Sequence, residues 1–456
     1  MFPPILYYST NLKAPRVTFR EALLKGLAPD RGLYMPELIP PLSMPEIDAF
    51  SALSYDEIAL RVMQKFLSTE LPGDIFATLV KDAYNFDVPL EKVVDRKYIM
   101  RLDQGPTASF KDFAARMMGR LINYYLGIEN RQLIILTATS GDTGSAIANA
   151  FFGLNNIKVV VLFPETEVTL RQRKQMTTLG KNILIVAIDG KFDDCQALVK
   201  QAFSDHELEF LNLSSANSIN IGRLIPQIVY YFYAFAKLRN GNSGDDITFS
   251  VPSGNFGDMM GGVLAMKMGL PVRKFIIATN ANDEFPVLLK TQKYDKIEPS
   301  RNCISSAMNV GHPSNLARLI ALYGGVMDEK GNISKQPDYT LMNKDIHGVS
   351  ISDNLTRDTI RYVYDKYKVI LEPHGAVGWA GLNDYLNTYP AEDNPDALFV
   401  SLETAHPAKF PVEINNILGI DPELPESLKG IEHKHEYIIK VNNNYPAFKE
   451  FLKYSF

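Results

Sequence analysis

Apolar residues along this chain recur in two rhythms. Up to about residue 90 they fall at spacings of three and four, as in YDEIALRVMQKFL (55–67) and DIFATLVKDAYN (74–85), between prolines at 36, 40, 41 and 45. That spacing lines one helix face with apolar side chains, so residues 1–92 are expected to form a mostly helical N-terminal domain. From about residue 131 short unbroken apolar runs take over: QLIILT (132–137), IKVVVLF (157–163), NILIVAI (182–188), DITFSV (246–251), KFIIAT (274–279), KVILE (368–372) and ALFVSL (397–402). Between them TGSAIANAFFG, TLRQRKQMTTLG and FDDCQALVKQAFSD read as helices. Unbroken apolarity predicts strands buried on both faces, and strand–helix alternation predicts parallel sheets covered by helices. The expected fold class is α/β. The linker-like NGNSGDD (240–246) sets an expected boundary between two α/β domains, 93–245 and 246–456. The closing HEYIIKVNNNYPAFKEFLKYSF reads as a strand and a short helix packed onto the body.

A chain of 456 residues exceeds what one hydrophobic core usually serves, which agrees with several domains. A net charge of -5 and the lack of a Lys/Arg stripe predict no nucleic-acid partner. Cys195 and Cys303 stand far apart with no CxxC or Cys/His spacing, predicting reduced thiols and no metal site. MFPPILYYSTNLKAPR has no basic start before an apolar run, and no apolar run is long enough to span a bilayer. A soluble cytoplasmic protein, monomer or homodimer, is expected.

Candidate chemistry sits where open parallel sheets bind ligands, beyond the carboxyl ends of strands. TATSGDTGSA (137–146) follows QLIILT and puts Thr137, Thr139, Ser140 and Thr143 at a helix start. Such a turn either caps the helix or binds an anion with its free N–H groups. PSGNFGDMMGG (252–262) follows DITFSV, with Gly254 and Gly257 allowing close backbone approach and Asp258 as cap or first-turn acid. LETAHPAKF (402–410) follows ALFVSL and clusters Thr404, His406 and Lys409, while EPHGAVGWAG (372–381) carries His374; either histidine can be structural or an acid–base group. In PTASFKDFAAR (106–116), Lys111 stands between Phe110 and Phe113. Its stem can lie along the rings with the head in water, or the amine can be desolvated, with a lowered pKa and the reactivity to form a Schiff base. A lysine for an aldehyde, a helix N-terminus for a phosphate and a partner for a ring nitrogen are what pyridoxal 5'-phosphate requires.

PTASFKDFAAR, TATSGDTGSA, SGNFGD and ETAHPAKF, in this order and spacing, resemble the threonine synthase family of fungi and enterobacteria. TFREALLKGLAPDRGLYMPELIP and NSINIGRLIPQIVYYFYA extend the resemblance over nearly the whole chain. It implies the tryptophan-synthase-β-like pyridoxal phosphate fold (fold type II): two parallel-sheet α/β domains with the cofactor between them, preceded by the extra N-terminal domain. It implies conversion of O-phospho-L-homoserine and water to L-threonine and phosphate. By motif, Lys111 matches the lysine that holds the cofactor; Gly254, Asn255, Phe256 and Asp258 match the loop around its phosphate. Thr404 matches the hydroxyl at the pyridine nitrogen, which in that role should leave the nitrogen largely unprotonated. Ser140, Asp142 and Thr143 match the substrate carboxylate site, and Asn217 and Arg223 of NSINIGR are candidates for the substrate phosphate, with a helix-surface salt bridge as the alternative for Arg223. One local departure is Ala108-Ser109, where the family commonly has Leu-Ala, which bears on substrate specificity. The competing expectations are a pyridoxal phosphate lyase or dehydratase acting on another phosphorylated or hydroxy amino acid, and a non-catalytic phosphate- or nucleotide-sensing α/β protein.

Overall fold

The computed structural model describes residues 4–67, 70–139, 141–165, 168–239 and 245–456. The apolar runs form two parallel sheets. One has five strands in the order Ile439–Val441, Ile183–Ile188, Ile157–Pro164, Leu133–Ala138 and Leu213–Ser214. The other has six, in the order Ile346–Ser350, Val272–Thr279, Ile247–Pro252, Leu398–Glu403, Lys97–Arg101 and Leu90–Val94, parallel except for the last hairpin. All residues of Leu133–Ala138, Ile247–Pro252 and Leu398–Glu403 are buried, as strands covered on both faces require.

The sheets do not follow the expected segments 93–245 and 246–456. The hairpin Leu90–Val94/Lys97–Arg101 pairs with Leu398–Glu403 in the second sheet, and Ile439–Val441 closes the first sheet beside Ile183–Ile188. The chain therefore crosses between the sheets three times: between Arg101 and Leu133, by way of Lys111, between Ser214 and Ile247, and between Glu403 and Ile439. Of the expected linker, residues 240–244 lie outside the described residues.

One expected strand is absent. KVILE connects two helices: Lys368 is the left-handed C-cap of Asp353–Tyr367, and Glu372 is the N-cap of Pro373–Thr388. The segment is apolar because helices bury it, and a short buried run cannot be told from a strand by periodicity. In its place IHGVS (346–350) forms an edge strand, unreadable in sequence because His and Gly interrupt its apolar pattern. The hairpin at 90–101 is also half-polar, having an intermediate burial along most of its outer strand.

The N-terminal layer consists of the helices Phe19–Lys25, Met44–Ala49, Tyr55–Leu67 and Gly73–Ala83, with a small strand pair, Tyr7–Ser9 and Tyr34–Pro36. It is bound to the body by buried polar contacts: Asn220 Nδ2 donates to Leu23 O at 2.9 Å, and Tyr84 Oη donates to Phe113 O at 3.1 Å.

Candidate active site

Lys111 is the first residue of the helix Lys111–Glu129. The loop before it is fixed against the second sheet: Phe110 N donates to Thr404 O at 2.9 Å, and His406 N to Ala108 O at 3.1 Å. Within the loop Asp112 accepts from the amide and the hydroxyl of Thr107 at 2.8 and 2.7 Å. The lysine side chain is 13 % exposed, with Nζ 4.0 Å from Asp142 Oδ2 and 4.9 Å from the centre of the Phe110 ring. Phe113 turns away, into an aromatic cluster with Tyr55, Tyr84, Phe86 and Tyr230. Burial lowers the Lys111 pKa; Asp142 opposes this, and Lys409 and Arg223 add to it. The amine is held inside, not extended into water.

The hydroxyl loop leads from Leu133–Ala138 into the helix Asp142–Phe151 through Gly141, whose φ of +138° suits glycine. Thr139 serves as the cap: its Oγ1 accepts from the amides of Gly141 and Gly144 at 2.9 and 2.8 Å. Thr137 Oγ1 donates to Asn217 Oδ1 at 2.8 Å. Asp142 is ion-paired with Lys409 at 2.6 Å and accepts from Gln172 Nε2 at 2.9 Å. Burial alone would raise its carboxyl, but Lys409, Lys111 and these hydrogen bonds outweigh it and hold it well below the usual carboxylate range. Asp142 can therefore meet an incoming carboxylate only through its backbone N–H. Thr143 is half-buried in the same first turn, and Ser140 lies outside the described residues.

The glycine loop joins Ile247–Pro252 to the helix Gly257–Lys267, whose N-cap residue, Phe256, makes no side-chain cap. A Cβ on Gly254 would lie 2.8 Å from Met308 Cα, so the loop's approach to that backbone requires glycine. Asn255 braces the loop: Oδ1 accepts from the amide and hydroxyl of Ser314 at 2.7 and 2.9 Å, and Nδ2 donates to Ser218. Phe256 takes φ +62° and packs its ring on Phe285. Asp258 turns Oδ1 onto Met259 N at 2.8 Å, and burial pushes its carboxyl up to about 6. The N-cap residue Phe256 offers no side-chain acceptor, which leaves helix-start N–H groups of the kind that bind anions.

Arg223 is 5 % exposed, which removes the surface salt bridge as an explanation. Its Nη1 donates to Ala216 O at 3.0 Å, while Nε has no partner; burial lowers the guanidinium to about 10. Thr404, 6 % exposed, is 3.5 Å from Glu372 Oε1. His406 is a cap, accepting from Ala408 N at 3.2 Å; burial, then Arg101 and Lys409, push its imidazole down to about 4.

Sequence reasoning left three buried groups without a role: Lys409, Glu372 and Arg318. Lys409 is fully buried and also donates to Thr107 O at 2.9 Å; with an aromatic, Phe410, on one side only, it carries a weaker form of the signal at Lys111. Arg318, also fully buried, donates to Tyr34 O, Ser218 O and Ile219 O. Among the described residues no helix is long and apolar enough to cross a membrane, and no cluster of His, Cys, Asp or Glu is placed to hold a metal ion.

Three family models match the chain: "Threonine synthase N terminus" over residues 6–84, "Pyridoxal-phosphate dependent enzyme" over 88–400 and "Threonine synthase, C-terminal" over 375–452. The chain is 41% identical to the threonine synthase of Haemophilus influenzae, over 97% of this chain and 98% of that one. It is 33% identical to that of Saccharomyces cerevisiae, over 91% and 89%. Among solved structures, the pyridoxal-phosphate-bound threonine synthase from Brucella melitensis superposes with a TM-score of 0.91 at 34% identity, covering 99% of both chains.

Proposed function

Because the chain belongs to the threonine synthase family, we propose that its Lys111 site carries out the family's reaction, converting O-phospho-L-homoserine and water into L-threonine and inorganic phosphate. Pyridoxal 5'-phosphate is the cofactor. The residues present fit it. Lys111 offers a buried amine of lowered pKa, and Gly254, Asn255, Phe256 and Asp258 lead into a helix whose N-cap residue makes no side-chain cap. Thr404 is joined through its backbone to the lysine loop. When bound, the cofactor supplies an electron sink that acidifies the substrate's Cα–H and Cβ–H.

In this reading Lys111 attaches the cofactor and, once displaced by the substrate amine, takes the proton from Cα and then from Cβ. The bond from Cγ to the phosphate oxygen breaks and phosphate leaves with the electron pair. The protons Lys111 has taken are passed on one at a time. Cγ gains one to become the methyl group, the hydroxyl of water adds at Cβ with its proton going to the phosphate, and Cα regains a proton to give threonine. Asp142, 4.0 Å from Nζ, steadies the amine whenever it carries a proton. Ser140, Thr143 and the backbone of Asp142 receive the substrate carboxylate at a helix start. Arg223 and Asn217 receive the substrate phosphate, where the unpartnered Nε of Arg223 has a donor to give.

The observation that carries the reading is the buried Lys111 amine, with a depressed pKa and the Asp142 carboxylate 4.0 Å away. The test is product analysis of the purified holoenzyme given O-phospho-L-homoserine. Threonine and inorganic phosphate are expected in equal amounts. A keto acid with ammonia would assign the chain to the competing lyase chemistry.

A further inference from the structure

One buried carboxylate lies between two lysines, and it is not shared evenly. Asp142 Oδ1 accepts from Lys409 Nζ at 2.6 Å and from Gln172 Nε2 at 2.9 Å. Its Oδ2 stands 4.0 Å from Lys111 Nζ, beyond hydrogen-bond reach. Fully buried Lys409 gives a further N–H to Thr107 O at 2.9 Å, at the root of the loop that carries Lys111. Thr107 O also accepts from Gln175 Nε2 at 3.0 Å. Two glutamines of the helix Leu170–Thr177 thus brace the two acceptors that hold Lys409.

One carboxylate and one ammonium in contact leave this buried group neutral overall. A second ammonium beside them would be a buried cation without an anion of its own, which is costly. The Lys111 amine avoids that cost by staying unprotonated, and its lone pair can then attack an aldehyde or take a proton. Without Lys409, the Asp142 carboxylate would be released to pair with Lys111 instead. We propose that Lys409 is a positioning residue that claims the Asp142 carboxylate and so leaves the Lys111 amine neutral and reactive. The inference rests on the reading that Lys111 holds the cofactor, and it extends that reading to a second lysine.

The other charged groups that face the two lysines do not replace Asp142 as a partner. Arg223, buried on Ile221–Leu224, acts on Lys111 in the same sense as Lys409. Asp258, at the start of Gly257–Lys267, is the smallest of the influences on Lys111, its carboxyl turned onto Met259 N at 2.8 Å. Asp112, next to Lys111 on its own helix, is taken up by the amide and hydroxyl of Thr107. His406 is neutral above about 4.

The experiment measures, against pH, the rate at which the full chain freed of cofactor combines with pyridoxal phosphate, followed by the visible band of cofactor joined to Lys111. Only the unprotonated amine combines, so the rate rises with pH to a plateau and its midpoint reports the amine. An opposite charge nearby raises an amine's pKa by about one to three units. Lys409→Met should therefore move the midpoint up by at least about one pH unit, a rate on the rising limb at least roughly tenfold below wild type. The Lys409→Met/Asp142→Asn double variant has no released carboxylate, so its midpoint should return to the wild-type value or below it. Loss of packing alone would not be reversed in this way. A Lys409→Met midpoint equal to that of the wild type would overturn the proposal, as would a double variant that keeps the upward shift. Where the single variant does not fold, the double variant decides by the same criterion. Borohydride reduction and peptide mass mapping locate the attachment; a wild type labelled elsewhere than Lys111 would refute the reading of the Lys111 site itself.

Discussion

Arg223 and Lys409 are both buried cations within electrostatic reach of Lys111, but they differ in what already holds them. Lys409 has an ion pair and a carbonyl; Arg223 has one carbonyl and an unpartnered Nε. The free donor makes Arg223 the better partner for a substrate phosphate. Charge-assisted hydrogen bonds contribute about 1.5–3 kcal/mol each, so Arg223→Ala should lower kcat/KM for O-phospho-L-homoserine at least roughly tenfold. Binding of threonine, which has no phosphate, should barely change in a spectroscopic titration. Equal weakening of both ligands would mean a packing role. Lys111 was marked out in sequence by its flanking Phe110 and Phe113, Thr404 by its place after the apolar run ALFVSL, and Arg223 by the NSINIGR motif of the resemblance. The Lys409–Asp142 pair was not, since its partners are brought together only when the two sheets meet; nor was the Glu372–Thr404 contact, which joins a helix start to the end of a strand far along the chain.

At the scale of elements, two loops after two different strands are joined by that buried pair. Removing one partner of a buried ion pair costs about 3–5 kcal/mol because the other charge is stranded. Lys409→Met should therefore reduce stability by about that amount in urea unfolding, with partial recovery in the Lys409→Met/Asp142→Asn double variant. An additive double variant would show that the pair is not coupled. The same loop contains a pH-dependent cap. An unfolded imidazole takes up a proton near pH ~6.5, whereas folded His406 does so only near about 4. Between those values the unfolded chain binds more protons, so stability falls as pH is lowered from ~6.5 to about 4. Protonation would also remove the lone pair that accepts from Ala408 N. His406→Asn, which keeps an acceptor without titrating, should flatten that decline in stability measured against pH; an unchanged slope would assign it to other groups. Element type was harder to read where burial and polarity disagree. KVILE is apolar because helices cover it, and IHGVS is a strand despite its His and Gly, because it pairs as an edge.

Across the whole molecule, loops from the carboxyl ends of both sheets converge around one amine, and the N-terminal layer supports them from below. Arg318 makes that support specific by binding Tyr34 O, Ser218 O and Ile219 O while fully buried. Each buried carbonyl left without a donor costs about 1–3 kcal/mol, so Arg318→Met should destabilise the protein by roughly 3 kcal/mol or more. A loss under about 1 kcal/mol would show that the layer is held by apolar contacts alone. The parallel sheets and the helical N-terminal layer could be read from hydrophobic rhythm; the crossing of the chain between sheets could not, because strand pairing is set by contacts distant in sequence. That crossing brings the chain to Lys111, on which the account depends. The most direct measurement is turnover of O-phospho-L-homoserine by Lys111→Ala reconstituted with pyridoxal phosphate. The account predicts that threonine formation is abolished even where the cofactor is retained noncovalently, since one amine both holds the cofactor and moves the protons. Near-normal threonine formation by that protein would contradict it.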